Sequence, residues 1–241
     1  MVPNSSALDS LIGDAVVRPL TLFLGYQPQD VALAGSLALA VQMAARGHPQ
    51  ARSFGDIDLI VPSFGGLEDK LAEDFLCAHV HPDVEVGRVL LQLVHPDDGV
   101  RIDVFRASLG CLARATRFRF GTGAVSVVSL EDQAAHAAAL CMKLDRSGSV
   151  VGKHFRDLKL MAPLIEGSAV DPAWREHRSA TDPERFEDAI ALIRQRADEH
   201  PDRLIDPVFA TDVAAVCPRC RAERSFRPAP RNQVFQILGF V

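Results

Sequence analysis

The stretch Asp56–Val61, which reads DIDLIV, carries the strongest structural signal in this chain. Alternation of acidic and apolar residues predicts a β-strand, in which Asp56 and Asp58 project from one face and Ile57 and Leu59 from the other. Two carboxylates at such a short distance repel each other, and a bound hard divalent cation would keep both of them ionised. The stretch therefore predicts a site for Mg²⁺, or Mn²⁺, at the start of a strand; the alternative is a pair of solvated acids.

A third acid follows in the stretch Arg101–Phe105, which reads RIDVF and is also predicted to be a strand. If the two strands are neighbours, Asp103 lies beside Asp56 and Asp58. Three acids can hold two metal ions, an arrangement that activates an attacking oxygen and stabilises a leaving oxygen, as nucleotide transfer with departure of pyrophosphate requires. The alternative for Asp103 is a weak surface ion pair with Arg101.

Upstream of these acids, the pair Gly35 and Ser36 lies between an apolar strand and a helix. A glycine lets the backbone approach a ligand closely, and the start of a helix offers unpaired N–H groups beside the serine hydroxyl. These groups suit a triphosphate, so Gly35 and Ser36 are candidate nucleotide-binding residues.

Apolar periodicity and turn residues divide the chain into a mixed α/β region, residues 1–128, and a mainly helical region, residues 129–241. The fold class predicted is α/β (α+β), with a mixed sheet followed by helices. The first region is predicted to contain a helix at 7–24 that Pro19 kinks or divides, a strand at 31–34, a helix at 37–46, a strand at 57–61, a helix at 67–77, a hairpin of strands at 88–94 and 100–105, and extended segments at 117–120 and 125–128. The second is predicted to contain helices at 130–145, 152–164 and 182–196, the first opened by a capping box of Ser129 and Asp132 and the last by Asp182 and Pro183.

The order of these motifs resembles the nucleotidyltransferase superfamily related to the DNA polymerase beta fold, over residues 31–105. Residues 52–58, which read RSFGDID, are similar to the signature of AbiE-type toxin nucleotidyltransferases, with Arg52 and Ser53 adjacent here. The resemblance implies a metal-dependent enzyme that transfers a nucleoside monophosphate from an NTP such as ATP to an acceptor hydroxyl. RNA, protein and small molecules all remain open as the acceptor.

The same resemblance implies further nucleotide-bordering residues. Arg52 and Ser53 belong to the signature, and Lys143, Lys153 and Asp157 are similar to the lysine and the Lys–Asp element of the helical half of such proteins. A local ion pair explains Lys153 and Asp157 equally well, because they are four residues apart on a predicted helix. The competing function is a catalytically inactive nucleotide-binding or regulatory protein on the same fold.

The composition narrows the class of protein. A formal net charge of −5 does not suit a protein that coats DNA nonspecifically. The sequence shows neither a bilayer-spanning apolar run nor a secretory signal pattern, so we expect a cytoplasmic protein without a membrane partner. The oligomeric state stays open.

Five cysteines do not form a disulfide framework, and only Cys217 and Cys220 have the spacing of half a zinc site. They lie in an Arg-rich tail that has no second closely spaced pair. Zn²⁺ is therefore a minor candidate beside Mg²⁺. Cys77, Cys111 and Cys141 are expected in apolar helices as core thiols.

Overall fold

The computed structural model describes residues 13–26, 30–48, 56–63, 67, 70–80, 90–120, 123–142 and 151–201. The strands are β1 (Ala32–Ala34), β2 (Asp56–Val61), β3 (Leu76–Val80), β4 (Leu90–Val94), β5 (Arg101–Arg106), β6 (Thr116–Phe120) and β7 (Gly123–Val127). The helices are α1 (Asp14–Gly25), α2 (Gly35–Ala45), α3 (Leu71–Asp74), α4 (Leu109–Ala113), α5 (Leu130–Cys141), α6 (Val151–Met161), α7 (Gly167–His177) and α8 (Phe186–Glu199), with a 3-10 turn at Ala162–Leu164. The predicted mixed α/β class is confirmed.

The strands form one mixed sheet in the order β3-β4-β5-β2-β1-β7-β6. The centre of this sheet combines a parallel pair, β2 with β5, and an antiparallel pair, β1 with β2. The predicted hairpin of β4 and β5 is confirmed as an antiparallel pair. The predicted extended segments at 117–120 and 125–128 correspond to β6 and β7, which also pair antiparallel. The outcome is that the two acid-bearing strands lie side by side.

The apolar core covers one face of the sheet. Ile57 and Leu59 of β2 and Ile102 and Val104 of β5 are fully buried there, together with residues of α1 and α2. Burying such a side chain contributes about 1.5–3 kcal/mol each relative to leaving it exposed. Alternation along the strands then directs Asp56, Asp58 and their counterparts on β5 to the opposite face.

Helix α2 is buried on nearly every side from Leu37 to Met43, as its almost entirely apolar sequence predicts. It begins at Gly35, immediately after the last residue of β1. Helix α1 runs from Asp14 to Gly25 with Pro19 inside it, so the proline does not divide the helix in the described residues.

The predicted helix at 67–77 is also wrong over most of its length. Only Leu71–Asp74 is helical, and the chain then enters β3, which pairs with β4. The spacing of Leu71 and Phe75, both buried, is helical, but the following residues gain strand hydrogen bonds instead. Cys77 therefore lies in a strand and not in an apolar helix, whereas Cys111 and Cys141 are buried free thiols on helices as expected.

A second compact unit begins at Ser129, directly after the sheet unit that ends its first segment at Val128. The predicted capping box is present, because Ser129 Oγ accepts a hydrogen bond from the Asp132 backbone N–H at 3.0 Å. Helices α5, α6 and α8 correspond to predicted helices, and α7 was not predicted. Membership of residues 202–241 in the helical region falls outside the described residues.

The predicted start of the last helix at Asp182 and Pro183 is wrong. Helix α8 begins at Phe186, whose backbone N–H donates to Asp171 Oδ1 of α7 at 2.9 Å. Asp182 instead accepts a hydrogen bond from Ser179 N at 2.8 Å and closes a turn. The cap thus comes from another helix and not from the local sequence.

No helix in the described part of the chain has both the length and the hydropathy needed to cross a membrane.

Candidate metal centre

Three aspartates converge where β2 and β5 run side by side. In the parallel register Asp58 is opposite Asp103, and Asp56 is opposite Arg101, so all four residues lie on one face of the sheet. One carboxylate oxygen from each of Asp56, Asp58 and Asp103 lies within 4.8 Å of the other two. The structure therefore brings together the three acids that the sequence singled out.

Asp103 is the buried member of the group, with 7% of its side chain exposed against 35% for Asp56. The pKa of Asp103 is raised from 3.8 to about 6: burial is the main cause and the Asp56 charge adds to it, while the charge of Arg101 and hydrogen bonds from Gln92 and Arg101 oppose the rise. The electrostatic environment of this carboxylate therefore favours a bound cation.

Arg101 faces two of the acids. Its Nη2 donates to Asp56 Oδ2, and its Nε lies 3.0 Å from Asp103 Oδ1. Only 18% of the Arg101 side chain is exposed, so the predicted surface ion pair with Asp103 is in fact largely buried and is shared with Asp56. Asp103 Oδ1 and Arg101 Nε are nevertheless buried atoms without a hydrogen-bond partner of good geometry.

Gly35 is required by the position of Asp58. Its φ is +62°, a conformation that side chains disfavour, and a Cβ placed on it would lie 1.8 Å from Asp58 Oδ2. Ala34, the preceding residue, is the register partner of Asp58, which explains the close approach. The start of α2 is thus fixed directly against the acid cluster.

The donor set fits a divalent cation. It consists of carboxylate oxygens alone, which Mg²⁺ and Mn²⁺ prefer. Asp103 Oδ1 is buried and pairs with Arg101 Nε at 3.0 Å without a hydrogen bond of good geometry, so its lone pairs are not all taken up. The missing Cβ of Gly35 leaves the space that the Asp58 carboxylate occupies. Asp56, Asp58 and Asp103 could together hold such an ion.

The predicted nucleotide-binding residues that the structure describes lie in two places, the start of α2 and helix α6. Gly35 is exposed and Ser36 half-buried at the start of α2. Lys153 and the buried Asp157 lie one turn apart on α6 in the helical unit, where the Asp157 charge adds to burial in raising the pKa of Cys141 to about 12. Residues outside the described ranges are Arg52, Ser53, Lys143, Cys217 and Cys220, so the roles predicted for them stay predictions.

Two polar residues of the centre were not predicted as part of it. Arg101 was considered only as a surface partner, although its position two residues before Asp103 places it on the same strand face. Gln92 is 2% exposed and pairs with Asp103 across β4 and β5. A single glutamine inside the apolar strand Leu90–Val94 was the available signal.

No protein-family model matches the chain, and no curated protein matches its sequence. Among solved structures, the chain is similar to the crystal structure of an antigenic nucleotidyltransferase-like protein from Paracoccidioides brasiliensis. The two chains are 18% identical, with a TM-score of 0.44 and coverage of 88% of this chain and 98% of that chain. A TM-score this low does not establish a shared fold, so we infer the function from the geometry of the acids.

Proposed function

We propose that the protein is a divalent-cation-dependent nucleotidyltransferase that moves a nucleoside monophosphate from an NTP to an acceptor hydroxyl. The observation that carries this proposal is the convergence of Asp56, Asp58 and Asp103 within 4.8 Å on adjacent strands. Phosphoryl chemistry needs charge neutralisation more than covalent assistance, and three acids beside an exposed helix start suit that need.

The three aspartates hold the cation in this proposal, with Mg²⁺ or Mn²⁺ as the ion. When bound, the ion supplies positive charge to the triphosphate and to the departing pyrophosphate. Asp103 fixes its position most firmly, because it is buried and held between Gln92 and Arg101. Asp56 and Asp58 are more exposed, so in this proposal the nucleotide approaches from their side.

The start of α2 is the proposed phosphate site. Gly35 is exposed, and its backbone lies against Asp58, so phosphates bound by the first N–H groups of α2 would adjoin the metal ligands. The Ser36 hydroxyl adds a donor. Arg52, Ser53, Lys143, Lys153 and Asp157 are proposed nucleotide contacts on the resemblance alone, as is membership of the AbiE-type subfamily.

One observation favours the alternative of a nucleotide-binding protein without catalytic activity. Arg101 already pairs with Asp56 and Asp103, so two of the three acids have a protein counter-ion. A centre neutralised in this way could bind a nucleotide without accelerating its transfer. Activity has to be measured to separate the two functions.

The experiment incubates the protein with each radiolabelled NTP, Mg²⁺ and total cell extract, and then separates RNA, protein and small molecules. We expect label to appear in one of these fractions and to require Mg²⁺. Asp58→Asn should lower the labelling on the order of a thousandfold, since loss of a cation ligand removes several kcal/mol of transition-state stabilisation.

Asp198→Asn is the matched control, because it makes the same chemical change on an exposed residue of α8. It should label at the wild-type rate. Labelling by Asp58→Asn at the wild-type rate would contradict the enzyme proposal. NTP binding without labelling by any variant would favour the noncatalytic alternative.

A further inference from the structure

The position of Arg101 is set by the sheet and not by chance contact of a long side chain. It is the register partner of Asp56 and lies two residues before Asp103, so its side chain leaves the sheet between the two acids. With 18% of the side chain exposed, the guanidinium is largely held within the cluster. Arginine keeps its charge at any pH compatible with folding, so this is a permanent positive charge.

The acids converge while Arg101 is in place. Arg101 contacts Oδ2 of Asp56 and Oδ1 of Asp103, whereas each carboxylate has a second oxygen and each oxygen two lone pairs. One oxygen from each of the three acids still lies within 4.8 Å of the others. The oxygen lone pairs that the guanidinium leaves free could therefore ligate a cation beside it.

Charge then limits how many cations the centre takes. Three ionised aspartates and one guanidinium carry a net charge of −2, which a single divalent ion neutralises. A second divalent ion would leave an excess of positive charge in a partly buried cluster, where an uncompensated charge is strongly unfavourable. Three acids without the arginine would accept more positive charge.

We infer that Arg101 is a fixed cation of the metal centre that takes the place of a second ion, so that the nucleotide-free protein binds one divalent cation. This inference rests on the proposed metal-binding function and narrows it, since the three acids by themselves were expected to hold two ions. Arg101 acts as a positioning residue for Asp56 and Asp103.

The test counts bound Mn²⁺ in nucleotide-free protein at pH 7.5 by electron paramagnetic resonance of the free ion. Wild type should bind one equivalent, and so should Arg101→Lys, which keeps the charge. Arg101→Gln should bind the first equivalent more than about tenfold tighter and gain a second, because a neighbouring positive charge has been removed. Arg119→Gln, on an exposed position of β6, is the matched control and should behave as wild type.

Arg101→Gln leaves three acids without their counter-ion, so folding is checked by circular dichroism. If that variant does not fold, the double variant Asp56→Asn/Arg101→Gln restores a net charge of −2 and should again bind one equivalent. Two equivalents in wild type, in Arg101→Lys or in the double variant would overturn the inference, as would a single equivalent in folded Arg101→Gln.

Failure of the underlying proposal has a different signature. One equivalent in wild type that is lost in Asp58→Asn establishes the centre, whatever the count in the arginine variants. A wild-type protein that binds no Mn²⁺ overturns the metal centre and this inference together.

Discussion

Two buried aspartates have opposite surroundings in this molecule. Asp132, in the first turn of α5, is 1% exposed; its Oδ2 accepts from the Ser129 hydroxyl at 2.6 Å, and its N–H donates to Ser129 Oγ at 3.0 Å. Asp103, on β5, is 5% exposed; it faces the charge of Asp56, and its Oδ1 lies 3.0 Å from Arg101 Nε without a hydrogen bond of good geometry. Burial alone therefore does not distinguish a structural acid from a candidate ligand, whereas the partners do.

The two environments also arise at different levels of structure. The Ser129–Asp132 box needs only four consecutive residues and the dipole of the helix it opens. The environment of Asp103 depends on the parallel register of β2 with β5. It also depends on the close approach of Gly35, the first residue of α2, to Asp58. We therefore expect mutations in the Ser129–Asp132 box to lower the free energy of unfolding. Removal of the Asp103 charge should raise it, because the acid cluster is held together at a cost in stability.

Gly35→Ala should have the largest effect on stability, because the acid cluster depends on a missing Cβ. The new Cβ would lie 1.8 Å from Asp58 Oδ2 at a residue whose φ is +62°. Backbone strain of about 1–3 kcal/mol adds to the displacement of the carboxylate, so the free energy of unfolding should fall by about 3–4 kcal/mol. Urea denaturation measures this difference.

Gly25→Ala is the control for that substitution, since a Cβ at Gly25 meets no heavy atom within 4 Å and its φ is not positive. Its free energy of unfolding should stay within about 0.5 kcal/mol of wild type or rise slightly. Equal stability of the two variants would mean that the backbone at Gly35 is not held against Asp58.

Asp103→Asn should stabilise the metal-free protein at neutral pH. Folding raises the pKa of Asp103 from 3.8 to about 6, so the folded state binds the proton more tightly and the contribution to stability falls as pH rises through that window. Asparagine does not titrate. The variant should match wild type near pH 4 and exceed it by about 2 kcal/mol at pH 7.5, as measured by urea unfolding at each pH.

Asp132→Asn sharpens the contrast, because the same change at a satisfied carboxylate should lower stability by about 1 kcal/mol. Adding Mg²⁺ should raise the melting temperature of wild type but not of Asp103→Asn, since a ligand stabilises only the state that binds it. A destabilised Asp103→Asn at pH 7.5 would show that its contacts with Arg101 and Gln92 outweigh the desolvation of the charge.

Structural features that depend only on neighbouring residues could be predicted from the sequence. Alternation in Asp56–Val61 predicted β2 and the common face of its two acids, and Ser129 with Asp132 predicted the start of α5. Gly35 was predicted to lie between a strand and a helix, although its contact with Asp58 depends on the pairing of β1 with β2.

Features that depend on distant partners were predicted poorly. The ion pairs of Arg101 require the register between β2 and β5, and the start of α8 requires a cap from Asp171, fifteen residues away. Helix α7 was missed because Pro172 lies inside it; buried Trp174 packs against Phe186 and donates to Pro183 O, and this packing favours the helix despite the proline. Tertiary contacts thus determined these features, which local helix and strand propensities do not predict.

A small effect, of the same size as that of Asp132→Asn, is expected for Ser129→Ala, which removes the hydroxyl that caps α5 and bonds Asp132. Loss of a serine N-cap costs about 1 kcal/mol, and the free energy of unfolding should fall by that amount at both pH 4 and pH 7.5. Ser168→Ala, at an exposed serine of α7, should change it by less than about 0.5 kcal/mol. Mn²⁺ binding should be unaffected, because the box belongs to the helical unit and the cation ligands to the sheet. A Ser129→Ala variant that loses Mn²⁺ would show that the box supports the metal centre, and the distinction between the two buried aspartates would then fail.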